Sequence, residues 1–324
     1  MPARSPDMPG GSRDSASFTE GHDTDQLFQE APAELYADAV ASVGDVEAEI
    51  AGEAVKRRLG VEFWIATGVF VLIVVAVFAA DWLPLQDPDA SDKTAPNATP
   101  SSDHWLGTDQ NGRDLLSRVI HGGQVPITIG FSAAMFGMVL GGLGGLVAGY
   151  YRGKAETGIM WATDVALAFP PIVLAMTLVF FWGNDVWQMA LILGLIAIPP
   201  VIRIARANTL LHGQREFVLA AYALGSSRRR ILRRDVLPNV MPSLVSFSLI
   251  VVALVIVAEA SLAVVGISVD ENTWGQMING GAQVIKDFPH VVFVPCAALF
   301  LTVLSLNLAG DRLRAYYDVR EGGL

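Results

Sequence analysis

Residues 240–258 read VMPSLVSFSLIVVALVIVA and contain no charged side chain. Nineteen residues of α-helix rise about 28 Å, close to the thickness of about 30 Å of the hydrocarbon core of a bilayer. A helix also satisfies its backbone hydrogen bonds internally, which a segment surrounded by lipid requires. This stretch therefore predicts a membrane-spanning helix.

Five further segments share this composition. The chain of 324 residues is 52% hydrophobic and only 17% charged, which is an excess of apolar residues over soluble proteins of this size. We therefore predict an all-α, polytopic membrane protein with six transmembrane helices. The predicted spans cover about residues 63–83, 125–150, 159–182, 186–203, 240–260 and 289–310.

The acidic charge of the chain lies before the first span. Residues 1–55 contain twelve acids and two bases, so this segment accounts for the whole formal net charge of −10. Its first half is rich in Pro, Gly, Ser and acids, a composition typical of disorder. We predict an acidic, largely disordered cytoplasmic tail over residues 1–55 and a transmembrane domain over residues 56–324. No apolar stretch with a basic flank precedes Lys56, so we expect the first span to be retained as an anchor.

Lysines and arginines indicate the orientation, because they accumulate on the cytoplasmic side of short loops. With the N-terminus inside, sixteen bases of residues 56–324 fall on the cytoplasmic side and four on the outer side. Both termini are therefore expected in the cytoplasm. The segments Asp81–Gln124 and Gly266–Pro289 are then outer segments, and Trp274 in the second is expected to be an anchor at the membrane interface.

Glycines recur at every fourth position of the second predicted span and share one helix face: Gly137, Gly141, Gly145 and Gly149. A face without side chains lets the backbone of another helix approach closely. Two interpretations stay open at this point. The stripe serves close packing within the protein, or it gives a smooth face along which helices slide or tilt during gating.

Other residues of the spans are candidates for special roles. Asp164 and Glu259 lie at the edges of apolar runs, where a carboxylate is either functional or simply hydrated or capping a helix. Cys296 is the only cysteine, so no internal disulfide and no thiolate metal site can form. Four prolines are predicted to kink or end helices: Pro170, Pro171, Pro199 and Pro200.

The predicted cytoplasmic loop over residues 204–239 carries the most specific pattern. Residues 216–239 read EFVLAAYALGSSRRRILRRDVLPN. Phe217, Ala221 and Leu224 are spaced as one apolar face of a helix, and Gly225 suits a left-handed stop. A serine at 226 or 227 can then cap a second, arginine-rich helix, which we expect to end at Pro238.

The predicted helix, turn and helix present an apolar surface to the cytosol. An exposed apolar patch on a cytoplasmic loop indicates a protein partner. The alternative is an amphipathic helix that lies on the bilayer surface.

The loop resembles the EAA motif of bacterial ABC importer permeases, although Leu219 stands where the motif has its acid. The matching positions are Ala220, Ala221, Gly225, Ile231, Leu237 and Pro238. Five other segments resemble the C-type permeases of dipeptide, oligopeptide and nickel importers. They are HWLGTDQNGRDLLSRVIHGG (104–123), AFPPIVLA (168–175), EASLAVVGI (259–267), WGQMINGG (274–281) and LTVLSLNLAGDRLR (301–314).

The resemblance implies a set of partners and a site. It implies a second, B-type permease, two ATP-binding subunits that hold ATP and Mg, and an extracellular substrate-binding protein, with no cofactor or metal in this chain and no nucleic acid. It also implies a bacterial cell-membrane location. The loop would couple the ATPases to the spans through Leu219, Ala220, Ala221, Leu224, Gly225 and Pro238.

The leading hypothesis is a permease subunit for di- and oligopeptides. A permease for nickel or another metal chelate fits the same motifs and stays open. A pump in one chain is excluded because no G-x-x-x-x-G-K-[ST] loop is present. An intramembrane hydrolase would need a histidine or similar base inside the bundle, but all five histidines fall in the tail, loops or span edges. An ion-coupled carrier would usually show inverted repeats, and the sequence has no such symmetry.

Overall fold

The computed structural model describes residues 59–269 and 272–322. The chain divides into the segments Met1–Val55 and Lys56–Leu324. The predicted acidic tail over residues 1–55 lies outside the described residues, as do the three bases at positions 56–58.

The described part of the chain is almost entirely helical. Its only β-type pairings are two isolated bridges, between Ser91 and Arg113 and between Thr108 and Asp114. The predicted all-α fold class is confirmed. The helices, in chain order, are α1 (Val61–Phe78), α2 (Leu115–His121), α3 (Gln124–Tyr151), α4 (Gly153–Leu167), α5 (Pro171–Trp182), α6 (Val186–His212), α7 (Glu216–Ala223), α8 (Arg228–Ile231), α9 (Leu237–Val264), α10 (Trp274–Ala282) and α11 (His290–Gly322).

Five helical segments within the described residues are long and apolar enough to cross a membrane. Three of them are the single helices α1, α6 and α11, and the other two are α2 continued by α3 and α8 continued by α9. They correspond to five of the six predicted spans. The predicted third span, over residues 159–182, differs.

The third predicted span is not one straight helix. It consists of α4 and α5, whose axes make an angle of 87° across the break between Leu167 and Pro171. The cause is the pair Pro170 and Pro171: proline has no amide hydrogen, and the residue before a proline is driven out of the helical region. Pro171 starts α5, a position where the missing donor costs nothing.

Two other boundaries differ from the prediction. Pro199 and Pro200 do not end α6, which continues to His212, so the predicted loop beginning at residue 204 starts nine residues too early. Pro238 does not end the second loop helix, because α8, a π-helical turn over Leu232–Val236 and α9 form one continuous helix. Pro238 has no amide hydrogen to donate to the preceding turn. The wider π turn just before it accommodates the missing hydrogen bond, so the helix continues.

The core of the bundle is built on the contact between α3 and α6, the most extensive helix pair in the described chain. The predicted glycine stripe lies on this contact. A Cβ at Gly141 would stand 2.7 Å from Val201 Cβ and 2.9 Å from Ile198 O. A Cβ at Gly149 would stand 2.8 Å from Thr209 Cβ. The two backbones therefore approach to a distance that leaves no room for a methyl group.

One end of the bundle, here called the capped end, is covered by residues 79–123, 265–269 and 272–289. These segments share a small apolar core with the helix ends: Val77, Leu115, Ile127, Trp274, Met277 and Val291. Trp274 is only 1% exposed, and its Nε1 donates a hydrogen bond to Val119 O at 2.7 Å. The expectation that Trp274 is an interface anchor is therefore wrong, because its ring fills this core.

The glycine stripe makes a specific prediction about stability. Gly141→Ala should lower the unfolding free energy by about 2 kcal/mol, because the new methyl group overlaps α6. The matched control is Gly142→Ala, whose Cβ would meet only Leu244 Cδ1 at an ordinary 3.4 Å. Thermal unfolding of the purified variants in detergent measures both. Equal melting temperatures for the two variants would contradict the close approach.

Candidate functional site

The predicted coupling loop is an ordered helical hairpin. Helix α7 is terminated by Gly225, which lies just beyond the C-cap residue Leu224 and has a left-handed conformation with φ of +79°. The amide of Ser226 donates to Ala221 O at 3.0 Å, and the amide of Gly225 donates to Tyr222 O at 3.0 Å. These two bonds form a Schellman motif, which satisfies the last carbonyls of α7. Ser227 then occupies the N-cap position of α8, although its side chain makes no capping hydrogen bond.

The hairpin is fixed to the bundle by buried apolar residues. Val218, Ile231 and Val236 are fully buried and belong to the main hydrophobic core. The hydroxyl groups of Tyr222 and Tyr150 lie 2.9 Å apart, which adds a polar contact between α7 and the end of α3. Both helices of the hairpin are therefore anchored in the core of the bundle.

The structure separates the predicted coupling residues into two groups. Leu219 and Leu224 are 59% and 86% exposed, and Ala220 is also exposed. Ala221, in contrast, is half-buried and packs against the bundle's own core, so its small size serves the attachment of α7. Pro238 lies beyond the hairpin, in the first turn of α9.

Sequence reasoning missed Val218, the only fully buried residue of α7. It selected the face of Phe217, Ala221 and Leu224 from apolar spacing, but Phe217 and Leu224 are exposed in the structure. Apolar residues occur on both sides of this short helix, so spacing alone does not say which side faces the bundle. The position of Val218 one turn before Ala221 is the signal that could have found it.

Five arginines follow the turn of the hairpin. Arg228, Arg229, Arg230, Arg233 and Arg234 are all exposed. At the same end of the bundle, here called the arginine-rich end, two ion pairs join α4 to α6. Arg203 Nη2 lies 2.7 Å from Asp164 Oδ1, and Arg206 Nε donates to Glu156 Oε1 at 2.8 Å. Asp164, a candidate from the sequence, is thus a partner of Arg203.

Glu259 has a different environment. It is fully buried in α9, near the capped end, and neither of its carboxyl oxygens has a hydrogen-bond partner among the described residues. Cys296 is half-buried in α11. No group of three or more metal-ligating side chains occurs in the described ranges.

A known protein family matches the part of the chain that contains the hairpin. Residues 141–321 match the family described as "Binding-protein-dependent transport system inner membrane component". This range contains the hairpin and most of the bundle.

Two relatives are similar over most of their length. The glutathione transport system permease protein GsiD of Pectobacterium atrosepticum is 36% identical over 270 residues, which is 79% of this chain and 90% of that protein. GsiD of Escherichia coli is 37% identical over 269 residues, or 82% of this chain and 89% of that protein.

Solved structures of the MetNI methionine ABC transporter share the fold. In the native crystal form of its inward-facing conformations, one chain is 21% identical, with a TM-score of 0.53, and the match covers 62% of this chain and 97% of that chain. In the selenomethionine-soaked crystal form the TM-score is 0.54 at 20% identity, covering 61% and 96%. At this identity the likeness concerns the fold alone.

The helical bundle with its anchored hairpin defines a multi-pass membrane permease. The chain belongs to the family of inner-membrane components of binding-protein-dependent transport systems, and it is a permease subunit of an ABC importer in the cell membrane. The predicted resemblance to this family is confirmed. Membership implies, in general, a partner permease, ATPase subunits and a substrate-binding protein.

The turn of the hairpin makes a prediction that separates conformation from size. Gly225→Val should weaken the turn, because a β-branched residue is disfavoured at positive φ by about 1–2 kcal/mol. Gly225→Asn should keep it, since asparagine tolerates this conformation. No atom lies within 4 Å of a Cβ at this position, so any difference comes from the backbone. Limited proteolysis of the purified variants measures the order of the hairpin, and equal cleavage rates would contradict the assignment.

Proposed function

We propose that this chain is the C-type permease of an importer for di- and oligopeptides and that its hairpin docks on the ATPase subunits. The observation that carries the docking surface is the exposure of Leu219 and Leu224 on a hairpin whose residues Val218 and Ile231 are buried in the core. When a partner covers exposed leucines on an ordered loop, apolar surface is removed from water, and this burial stabilises the complex. We call the exposed residues Leu219, Ala220 and Leu224 the docking surface.

The chemistry of the docking surface favours an apolar groove on the partner. Leu219 replaces the acid of the EAA motif, so contact at this position is by burial of apolar area rather than by an ion pair. Ala220 lies between the two leucines and allows the partner's backbone to approach. The exposed arginines of the following helix stand beside the surface and suit an acidic rim.

The proposed orientation places the arginine-rich end and both termini in the cytoplasm. The five exposed arginines of residues 228–234 stand at this end, together with Arg203 and Arg206. The capped end then faces outward and towards the substrate-binding protein. In this arrangement the docking surface faces the compartment that contains ATP.

Peptides are the substrate class that the relatives favour. The two GsiD relatives are named for glutathione, which is a tripeptide, and they cover four fifths of this chain. A nickel or metal-chelate permease is the second candidate within the family, because the motifs of residues 104–123 and 274–281 are shared with nickel importers. An ion-coupled carrier without ATPases is the candidate from another class.

The docking surface is tested by adding charge where partner contact is proposed. Leu219→Asp combined with Leu224→Asp should lower peptide uptake at least tenfold and remove stimulation of ATP hydrolysis, because the carboxylates oppose burial in an apolar groove. Reconstituted liposomes that contain the two permeases, the ATPases and the binding protein provide both readouts.

The control is Ser227→Asp, which adds one negative charge, against two in the double variant, at an exposed position of the same hairpin. It should leave uptake and the melting temperature unchanged. Normal ATP-driven uptake by the double variant would mean that this surface does not contact the ATPases.

The substrate class is tested in the same liposomes. Radiolabelled glutathione should accumulate only with ATP, and excess unlabelled dipeptide or tripeptide should compete. Uptake of Ni²⁺ with no peptide uptake would support the metal-chelate alternative. Accumulation driven by an ion gradient without ATP would support the carrier and contradict the importer mechanism.

A further inference from the structure

A cavity of about 210 Å³ lies at the capped end, between the loop that precedes α2 and one face of α10. One wall is apolar, with Leu115, Met277 and Val291. The other carries charged and amide groups from two separate segments: Asp109, Gln110, Asn111, Arg113, Arg118 and Gln276. On the scale of about 30 Å³ per water, the space holds roughly seven waters or a group the size of one amino acid.

Hydrogen bonds to Asp109 hold the loop that forms the charged wall of the cavity. Asp109 Oδ1 accepts hydrogen bonds from the amides of Asn111 at 2.8 Å and Arg113 at 2.9 Å, and Asp109 Oδ2 accepts from Arg113 Nε at 3.1 Å. Gly112, with φ of +74°, closes this turn. Three donors therefore occupy the carboxylate of Asp109, which serves to position the loop.

Arg118 is held from the opposite side. Its Nη2 donates to Asn272 Oδ1 at 2.6 Å, and Asn272 Nδ2 donates back to Arg118 O at 2.8 Å. Arg118 is only 7% exposed, yet its Nε has no hydrogen-bond partner among the described residues. The nearest carboxylate oxygen in an ion pair, Asp109 Oδ2, is 3.6 Å from Nε. A buried donor on a cation without an acceptor is costly. Because Arg118 lines the cavity, an anion bound there would compensate the charge of this buried side chain.

The charge of the lining favours a monoanion. Arg113 and Arg118 carry two positive charges against the one negative charge of Asp109. Asp89 also lies near both guanidiniums, at 3.4 and 3.7 Å, but its side chain is 79% exposed and outside the lining, where solvent screens it. Arginine pairs with carboxylate and phosphate alike, but a net charge of about +1 suits a carboxylate better than a phosphate dianion.

We propose that this cavity binds a carboxylate on an amino-acid-sized group, with the guanidinium groups of Arg118 and Arg113, which line it, as donors. The carboxylate comes either from the C-terminus of a peptide or from an Asp or Glu side chain of a protein that docks on the capped end. The first source rests on the peptide substrate proposed above. Binding by the isolated chain, however, needs neither uptake nor the ATPases, so this proposal and the proposed function can fail separately.

Calorimetric titration of the purified full-length chain tests the site with N-acetyl-Ala-Ala-Ala and with the same peptide as its C-terminal amide. The free acid should bind at least tenfold more tightly than the amide, because only the acid carries the required charge. Arg113→Gln should remove this preference.

A second variant fills the cavity without touching its charges. Gly280 lines the space, and no atom lies within 4 Å of a Cβ built on it, so Gly280→Leu should occupy the cavity and weaken acid binding at least tenfold. The matched control is Gly158→Leu, at another helical glycine whose Cβ would meet nothing within 4 Å. It should bind the acid like the unmodified chain, and melting curves verify that both variants are folded.

The two sources are distinguished with N-acetyl-Ala-Asp-Ala-amide, which carries its only carboxylate on a side chain, and its Asn counterpart. Tighter binding of the terminal acid indicates a peptide ligand, and tighter binding of the Asp peptide indicates a docking protein. The proposal is overturned if neither acid binds more tightly than its uncharged counterpart to the unmodified chain. It is also overturned if Gly280→Leu is folded and binds the acid with unchanged affinity.

Discussion

The direct backbone contact between α3 and α6 is the constraint on which the rest of the structure depends. In a membrane the hydrophobic effect does not drive helices together, so association relies on close packing. Glycines at four-residue intervals on α3 meet Ala197, Val201, Ala205 and Thr209 of α6, which follow the same interval. The matching intervals hold α6 in helical form to His212, past its two prolines and beyond the predicted span.

This contact also determines where the hairpin stands. The end of α6 leads into α7 after three residues, and Tyr150 at the end of α3 contacts Tyr222 of α7. Val218 on the inner side of α7 is buried in the same core that contains α3 and α6. The hairpin is therefore an extension of the most extensive helix pair of the described residues, and its exposed leucines stand on a helix that is anchored in the core.

Patterns in the sequence were sufficient to predict those features that a single local physical cause determines. Uncharged runs predicted the spans, Gly225 predicted the left-handed stop, and Pro170 with Pro171 predicted a break. They were insufficient where tertiary contacts decide. Pro238 follows a π turn that accommodates it, Trp274 fills a core made by residues from distant segments, and Ala221 faces inward because Val218 does. The cavity at the capped end joins residues 109–118 to residues 276–281, so no local pattern could reveal it.

One continuous helix connects the two ends of the molecule. From Arg228 to Val264 the chain has 37 helical residues, or about 55 Å at the usual rise of α-helix. Its first residues belong to the hairpin, and its last ones support the capped end. There the Cβ of Gly275, if present, would stand 2.8 Å from Ala260 Cα, so α10 rests directly on the backbone of α9. Because α10 also forms one wall of the cavity, we expect a shift of this helix along its axis to change the cavity as well. The helix is thus the physical connection that we propose between the ATPase contact and the carboxylate site.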